Sequence, residues 1–207
     1  EQALGMLSEM QDTALLLDVI SYNAAISASR TDEQWQRALG MLLNMRVHRL
    51  SPTVISYSTV ISACAKGEQW ELALNMLAEM QEQSLETNVI SFSAAISACE
   101  KAGQWQQALV LLQGMCNNGS EPNVITYNSA ISTCEKGKEW QRALDLMGEM
   151  IWKSLKPDLI TYSAASSACE KGSEWQQALV LLVDIRRRHF EPTSITYNAA
   201  ISACEKG

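Results

Sequence analysis

The sequence predicts an all-α fold, an α-solenoid superhelix of tandem antiparallel helix pairs, from two observations. A phrase of twelve residues recurs along the chain with a period of 35, as in "SYSTVISACAKG", "TYNSAISTCEKG" and "TYNAAISACEKG". Within each copy, apolar residues follow the spacing of one helical face. Because one helix pair of this length is too small to bury a core, neighbouring pairs must stack on one another.

The spacing of 35 residues does not vary at two aromatic positions of the repeat. The tryptophans that mark it are Trp35, Trp70, Trp105, Trp140 and Trp175. The aromatic residues of the phrase are Tyr22, Tyr57, Phe92, Tyr127, Tyr162 and Tyr197. The spacing predicts a single array over 1–207, with full repeats at 19–53, 54–88, 89–123, 124–158 and 159–193 and partial repeats at 1–18 and 194–207. We expect a fragment of a longer array, because it begins and ends inside repeats.

The first helix of each repeat follows from the recurring phrase. In the last copy, the residues at i, i+3, i+4 and i+7 are Tyr197, Ala200, Ile201 and Cys204, which is the spacing of one helical face. We expect this helix to begin after a Ser or Thr, Thr196 in this copy, whose hydroxyl can cap a backbone N–H. The Lys-Gly pair that closes the phrase predicts the turn at its end.

The second helix begins near each tryptophan. In the repeat 124–158, a second apolar face is formed by Trp140, Ala143, Leu144, Met147 and Ile151. We expect Pro157 to close this helix, since proline lacks the N–H needed to continue it.

The cysteines are predicted to pack in the core. On the apolar face of the first helix lie Cys64, Cys99, Cys134, Cys169 and Cys204. Stacked helices lie about 10 Å apart, beyond the ~7 Å between Cα atoms that a disulfide tolerates. The chain has no C-x-x-C pair that would indicate zinc, and we expect no metal or cofactor.

One core position departs from the pattern. Ser166 stands where five other copies of the phrase have Ile26, Ile61, Ile96, Ile131 and Ile201. Loss of a buried aliphatic side chain costs about 2 to 4 kcal/mol. We therefore expect the repeat 159–193 to be the most loosely packed, or to accept a partner there.

Composition excludes several classes of function. No apolar run approaches the roughly 20 residues of a membrane-spanning helix, so we expect no membrane insertion. The two histidines, His48 and His189, lie far apart and have no paired acid or nucleophile pattern, so we expect no enzyme. The net charge of −7 disfavours long-range attraction to phosphates.

One column of the repeat varies while its neighbours hardly change. Its residues are Asn23, Ser58, Ser93, Asn128, Ser163 and Asn198. All of them are small and form hydrogen bonds. Such variation is typical of a position that recognises something variable.

The repeat resembles that of the pentatricopeptide repeat (PPR) family along the whole chain. The resemblance rests on "V-I-T-Y-N" at the start of the repeat, "C-E-K-G" at the first turn, "A-L" in the second helix and "P-N" or "P-D" at the end. The tetratricopeptide repeat differs in its period of 34 and its tryptophan signature. The resemblance implies binding of single-stranded RNA in mitochondria or plastids, with about one base per repeat.

The resemblance also implies that the fifth and last residues of a repeat together read one base edge. An Asn–Asp pair implies uracil, a Ser–Asn pair adenine, an Asn–Thr pair a pyrimidine and a Ser–Thr pair a purine. In chain order the pairs are Asn23 with Thr53, Ser58 with Asn88, Ser93 with Asn123, Asn128 with Asp158, and Ser163 with Thr193, and Asn198 stands alone. The implied target, read 5′ to 3′ in parallel with the chain, is pyrimidine-A-A-U-purine.

The second residue of each repeat is implied to sandwich the bases between neighbouring repeats. These residues are Ile20, Ile55, Ile90, Ile125, Ile160 and Ile195. The alternative is that they only pack one helix start against another.

A lysine near the end of each first helix is implied to contact phosphates. These residues are Lys66, Lys101, Lys136, Lys171 and Lys206, and Thr31 stands at the equivalent place in the repeat 19–53. Four of them directly follow a glutamate, namely Glu100, Glu135, Glu170 and Glu205. We expect these glutamates to offset part of the attraction, so that RNA binding is weak and depends on salt.

Two functions remain open at this point. The first is a sequence-selective single-stranded RNA-binding module of an organellar RNA processing or stability factor, located in a mitochondrion or plastid and bound to its transcript. The alternative is a helical-repeat protein–protein scaffold, docked onto other subunits of a large organellar complex and without RNA binding.

Overall fold

Two kinds of helix alternate along the chain in the computed structural model, which describes residues 18–29 and 34–207. Across these ranges there are eleven α-helices and no strand. The first helices of the repeats are α1 (Val19–Ala28), α3 (Val54–Lys66), α5 (Val89–Ala102), α7 (Val124–Lys136), α9 (Leu159–Lys171) and α11 (Ser194–Lys206). The second helices are α2 (Trp35–Val47), α4 (Trp70–Glu82), α6 (Trp105–Asn117), α8 (Trp140–Trp152) and α10 (Trp175–Arg187). Residues 1–17 and Thr31 lie outside the described residues.

The first helices begin earlier than the sequence predicted, and a different residue caps them. The N-cap of α9 is Asp158, the last residue of the preceding repeat, whose carboxylate accepts from the Thr161 backbone N–H at 2.9 Å. In return the Asp158 N–H donates to the Thr161 hydroxyl at 3.1 Å. The same reciprocal capping box starts α3 at Thr53 and α7 at Asn123. The predicted capping residue is therefore the third residue of the helix, and its hydroxyl is the second half of the box.

The Lys-Gly turn ends the first helices as predicted, but the glycine has another role. Gly67 has a φ of −78°, while the next residue, Glu68, has the left-handed φ of 59°. A Cβ at Gly67 would overlap the indole of Trp35. Glycine is therefore required here because the tryptophan of the preceding repeat packs against the turn.

The second helices end before the prolines that were predicted to close them. The helix α8 ends at Trp152, and Ser154 follows in the left-handed region with a φ of 62°. The Leu155 N–H donates to the Met150 carbonyl at 3.0 Å, which is the closing bond of a Schellman motif. Pro157 is buried in front of the next N-cap.

The chain divides into two halves, Glu1–Ala98 and Cys99–Gly207, and the division falls within α5. In the N-terminal half α1 packs beside α3, and α2 and α4 also contact α3. In the C-terminal half α7, α9 and α11 pack side by side in that order. The helices α6 and α8 contact α7, and α10 contacts both α9 and α11. Each half therefore places the first helices of successive repeats next to one another.

The predicted apolar faces form the core of each half, except in α8, where Ile151 is exposed, and in α11, where Tyr197 and Ile201 are exposed. Cys64, Cys99, Cys134 and Cys169 are buried with free thiols, which confirms the prediction, whereas Cys204 is exposed. Burial raises the pKa of these four thiols to about 11. Ser166 is also buried, and its hydroxyl has no hydrogen-bond partner among the described residues.

Candidate nucleic-acid interface

The first helices of the C-terminal half line an open groove of about 520 Å³. Its walls come from α7, α9 and α11, because these helices lie side by side. Six of the predicted site residues line it, namely Ile125, Asn128, Asp158, Ile160, Ser163 and Ile195. One place of the twelve-residue phrase is serine in every copy. Two of these serines, Ser132 and Ser167, also line the groove, together with Glu135.

The fifth residue of one repeat contacts the last residue of the same repeat where the fifth residue is asparagine. The Asn128 amide nitrogen donates to Asp158 Oδ1 at 3.1 Å and to Oδ2 at 3.3 Å. The equivalent amide of Asn23 donates to the Thr53 hydroxyl at 3.4 Å. These partners are 30 residues apart in the sequence. They meet because the last residue caps the neighbouring first helix.

Asp158 is held as a carboxylate. Burial alone would raise its pKa, but hydrogen bonds from Thr161 and Asn128 outweigh burial and lower the pKa below its ordinary value of 3.8. Asn128 is only 9% exposed, and it reaches solvent through the groove that it lines. The pair therefore presents a fixed, charged hydrogen-bonding group at the base of the groove.

A third residue, predicted only as a helix cap, joins each of these two pairs. The Thr161 hydroxyl lies 2.6 Å from Asn128 Oδ1, to which it donates. The Ser56 hydroxyl donates to Asn23 Oδ1, also at 2.6 Å. The signal in the sequence is the Ser or Thr at the third place of every repeat, and its prediction as a cap alone omits this contact.

Serine at the fifth place makes other contacts. The Ser163 hydroxyl donates to the Leu159 carbonyl in its own helix at 2.7 Å. The Ser58 hydroxyl is buried and has no hydrogen-bond partner within the described part of the chain. Its predicted partner Asn88 accepts instead from the Ser91 backbone N–H at 3.0 Å. Ser93 is half-buried in α5, Asn123 and Thr193 cap α7 and α11, and Asn198 is exposed.

The six isoleucines at the second place are exposed, between 56% and 76%. A residue whose role is to pack one helix start against another would be buried. Single exposed apolar side chains are common on protein surfaces, whereas a set of them at one place of every repeat is informative. Within the C-terminal half, Ile125, Ile160 and Ile195 give the groove an apolar lining beside its polar base.

The predicted phosphate-binding lysines contact the preceding repeat. Lys171 forms an ion pair with Glu135 at 2.8 Å, and Lys206 forms one with Glu170 at 3.0 Å. Lys136 donates to the Glu100 backbone carbonyl at 2.9 Å. Each partner lies 36 residues earlier in the sequence. Lys66 and Lys101 lie near the ends of α3 and α5 with exposed side chains.

The glutamates of this row are anchored as well. Hydrogen bonding from Lys206 and from the Ser202 hydroxyl outweighs burial and lowers the pKa of Glu170. The Ser202 hydroxyl lies 2.8 Å from Glu170 Oε1. A phosphate that binds the lysine row must therefore compete with a carboxylate that is already in place.

The described ranges hold neither a candidate metal site nor a candidate membrane-spanning helix. Over residues 18–29 and 34–207, no three His, Cys, Asp or Glu side chains are grouped so that they could hold a metal ion. No helix of those ranges is both long and apolar enough to cross a bilayer.

The chain belongs to the pentatricopeptide repeat family. A model of the pentatricopeptide repeat domain matches residues 5–67 and 75–137, which is more than half of the chain. A PPR repeat family model matches residues 122–171, and a PPR repeat model matches residues 55–85. No curated protein sequence matches the chain.

Solved structures confirm the predicted all-α solenoid fold. The crystal structure of the pentatricopeptide repeat protein PPR10 from maize is 25% identical and has a TM-score of 0.73, over 99% of this chain and 29% of that one. PPR10 in complex with an 18-nt psaJ RNA element is 25% identical and has a TM-score of 0.69, over 95% of this chain and 28% of that one. The PPR domain of Arabidopsis thaliana protein-only RNase P 1 in complex with tRNA is 11% identical and has a TM-score of 0.75, over 87% of this chain and 95% of that one. The chain therefore spans less than a third of the length of PPR10.

Proposed function

We propose that this chain is a sequence-selective single-stranded RNA-binding module that reads about one base per repeat. Its target is pyrimidine-A-A-U-purine, and it has no catalytic activity of its own. It acts as part of an organellar RNA processing or stability factor, in a mitochondrion or plastid. Both PPR10 and the protein-only RNase P 1 domain have been solved with RNA, which supports the binding of RNA by this fold.

The observation that carries the proposal is the contact between Asn128 and Asp158 in the groove. After the bonds to Asp158 and Thr161, the Asn128 amide retains one N–H and one oxygen lone pair. Uracil presents a ring N–H beside a carbonyl oxygen, which is the complementary pattern. Cytosine presents a ring acceptor at the same place and is disfavoured, because a buried polar group would then remain unpaired.

The isoleucines beside this pair supply the second part of the site. Ile125 and Ile160 are 69% and 65% exposed, and both line the groove that holds Asn128. Apolar contact with the two faces of a base stabilises it without selecting its identity. Stacking and edge recognition thus come from different positions of the same helix.

A protein scaffold is the second candidate, because two lysines of the row, Lys171 and Lys206, are paired with the carboxylates of Glu135 and Glu170. The second helix α10 also exposes apolar side chains, with Leu179 at 39%, Val180 at 60% and Val183 at 49%. A protein partner would cover such side chains on the outer helices and would require no positive groove.

The experiment is a binding titration of a short RNA that carries the pyrimidine-A-A-U-purine core against a scrambled RNA of the same composition. Both are measured at low and at moderate salt. We expect tighter binding of the core sequence at both salts, and weaker binding of both RNAs as salt rises. Equal binding of the two would exclude base reading, and no binding at low salt would favour the scaffold.

A further inference from the structure

We propose that the hydroxyl at the third place of a repeat is a specificity-determining positioning group for the asparagine of the repeat before it. Thr161 holds Asn128 in this way, and Ser56 holds Asn23. The inference rests on the proposed function, because it concerns how precisely the base is read. The hydroxyl does not touch the base and acts through the amide.

The hydrogen bonds of the Thr161 hydroxyl show what it can do. It accepts from the Asp158 backbone N–H at 3.1 Å, and it lies 2.6 Å from Asn128 Oδ1 and 3.0 Å from Asp158 Oδ1. A hydroxyl has a single proton to donate. The shorter contact, to the amide oxygen, takes that proton, since the carboxylate already accepts from the Asn128 amide and the Thr161 backbone N–H.

The Asn128 amide is consequently held at both of its ends by the N-terminus of α9. Asp158 fixes the nitrogen and Thr161 fixes the oxygen, so the amide plane cannot rotate without breaking a bond. Both bonds lie in a partly buried site, where an unpaired polar group is costly. The remaining N–H and lone pair therefore face the groove in one defined direction.

Repeats with serine at the fifth place show that this bond is not simply part of helix capping. After the repeat of Ser58, the Ser91 hydroxyl donates to the carbonyl of its own cap, Asn88, at 2.9 Å. After the repeat of Ser163, the Thr196 hydroxyl donates to the Thr193 carbonyl at 2.8 Å. After Asn23 and Asn128 the third hydroxyl thus donates to the asparagine of the preceding repeat, whereas after Ser58 and Ser163 it donates to the carbonyl of its own cap.

Loss of the hydroxyl has a specific chemical consequence. Without Thr161 as a donor, Asn128 Oδ1 has two lone pairs available, and the amide is tethered only through its nitrogen. The oxygen can then rotate to accept from an exocyclic amino group, as cytosine carries. The variant should therefore bind RNA but discriminate less well between uracil and cytosine.

The first test compares Thr161→Val and Thr161→Ser in the full chain, with Thr196→Val as the matched control. Each is titrated with RNAs that differ only at the nucleotide read by the repeat 124–158. We expect Thr161→Val to lower the preference for uracil over cytosine about fivefold, the loss of one hydrogen bond. Thr161→Ser and Thr196→Val should keep the wild-type preference. Equal effects of Thr161→Val and Thr196→Val, or no effect of Thr161→Val, would overturn the inference.

The second test needs no RNA. Solvent exchange of the Asn128 side-chain amide protons, measured by NMR, reports how often the amide leaves its two partners. We expect exchange to be about fivefold faster in Thr161→Val and unchanged in Thr196→Val. Unchanged exchange in Thr161→Val overturns the inference whatever the RNA result. A wild-type chain with protected amide protons and no base preference overturns the proposed function, and with it the role of Thr161 in specificity.

Discussion

Replacing the two glutamates that pair with Lys171 and Lys206 should strengthen RNA binding. In the variant Glu135→Gln with Glu170→Gln, Lys171 and Lys206 lose the carboxylates that lie 2.8 and 3.0 Å from their ammonium groups. Both lysines lie on the row that we propose contacts phosphates. The substitutions also raise the net charge from −7 to −5, because each removes one negative charge.

The size of the effect follows from two contributions. A partly exposed ion pair that a phosphate must displace is worth about 0.5 kcal/mol. A phosphate on the far side of the lysine lies about 6 Å from the glutamate, and their repulsion in water is about 0.7 kcal/mol. Together these give about 1 kcal/mol for each glutamate. The double variant, with about 2 kcal/mol in total, should therefore bind about 30-fold more tightly at low salt.

The assay is fluorescence anisotropy of the core RNA across a series of salt concentrations. Each lysine released to a phosphate should steepen the slope of log affinity against log salt by about 0.7. The matched control is Glu82→Gln with Asp145→Asn, which makes the same change in charge at exposed positions on the second helices α4 and α8. If this control gains as much affinity for RNA as the variant Glu135→Gln with Glu170→Gln, the gain in affinity comes from net charge alone. The lysine row would then not contact phosphates.

Three further changes test the packing and capping of the first helices. Asp158→Ala should destabilise the chain by about 1 kcal/mol in urea denaturation, because α9 loses its N-cap; a cost near zero would contradict the capping role. Because the pKa of Asp158 is lower in the folded chain than in the unfolded chain, its carboxylate stabilises the fold at pH values above the unfolded-state pKa. This contribution is lost as the pH falls through the folded-state pKa. Between about pH 6 and pH 3 the wild type should thus lose more stability than Asp158→Asn does, and an equal loss would refute the linkage. Ser166→Ile should raise stability by about 2 kcal/mol, since it buries an aliphatic side chain and removes an unpaired hydroxyl. A decrease would show that the site has no room for isoleucine.

The fold could be predicted from the sequence because the same 35-residue pattern recurs several times along the chain. The period placed Trp140 at the start of a second helix and Lys136 at the end of a first helix, as the structure has them. The start of the first helix was wrong by three residues. Asp158 and Thr161 are both good capping residues, and the sequence alone does not show that the two cap one helix reciprocally.

The partners of the site residues could not be predicted in the same way. Asn128 meets Asp158 after 30 residues and Thr161 after 33, and Lys171 meets Glu135 after 36. These spacings depend on how far one helix pair is displaced from the next, which a single repeat does not encode. Glu170 directly precedes Lys171 in the sequence, and that proximity predicted an offset of charge. The structure instead pairs Lys171 and Lys206 with the glutamate of the preceding repeat.

The most direct test of the central claim is a change of the fifth residue in one repeat. Asn128→Ser replaces an amide bonded to Asp158 by the short hydroxyl that other repeats carry at this place. Binding is measured to a set of RNAs in which each of the five core nucleotides is varied in turn. Base reading by the groove predicts a switch from pyrimidine to purine at one nucleotide, with the other four preferences unchanged. A uniform loss of affinity at all five nucleotides would contradict it and would make Asn128 a structural residue.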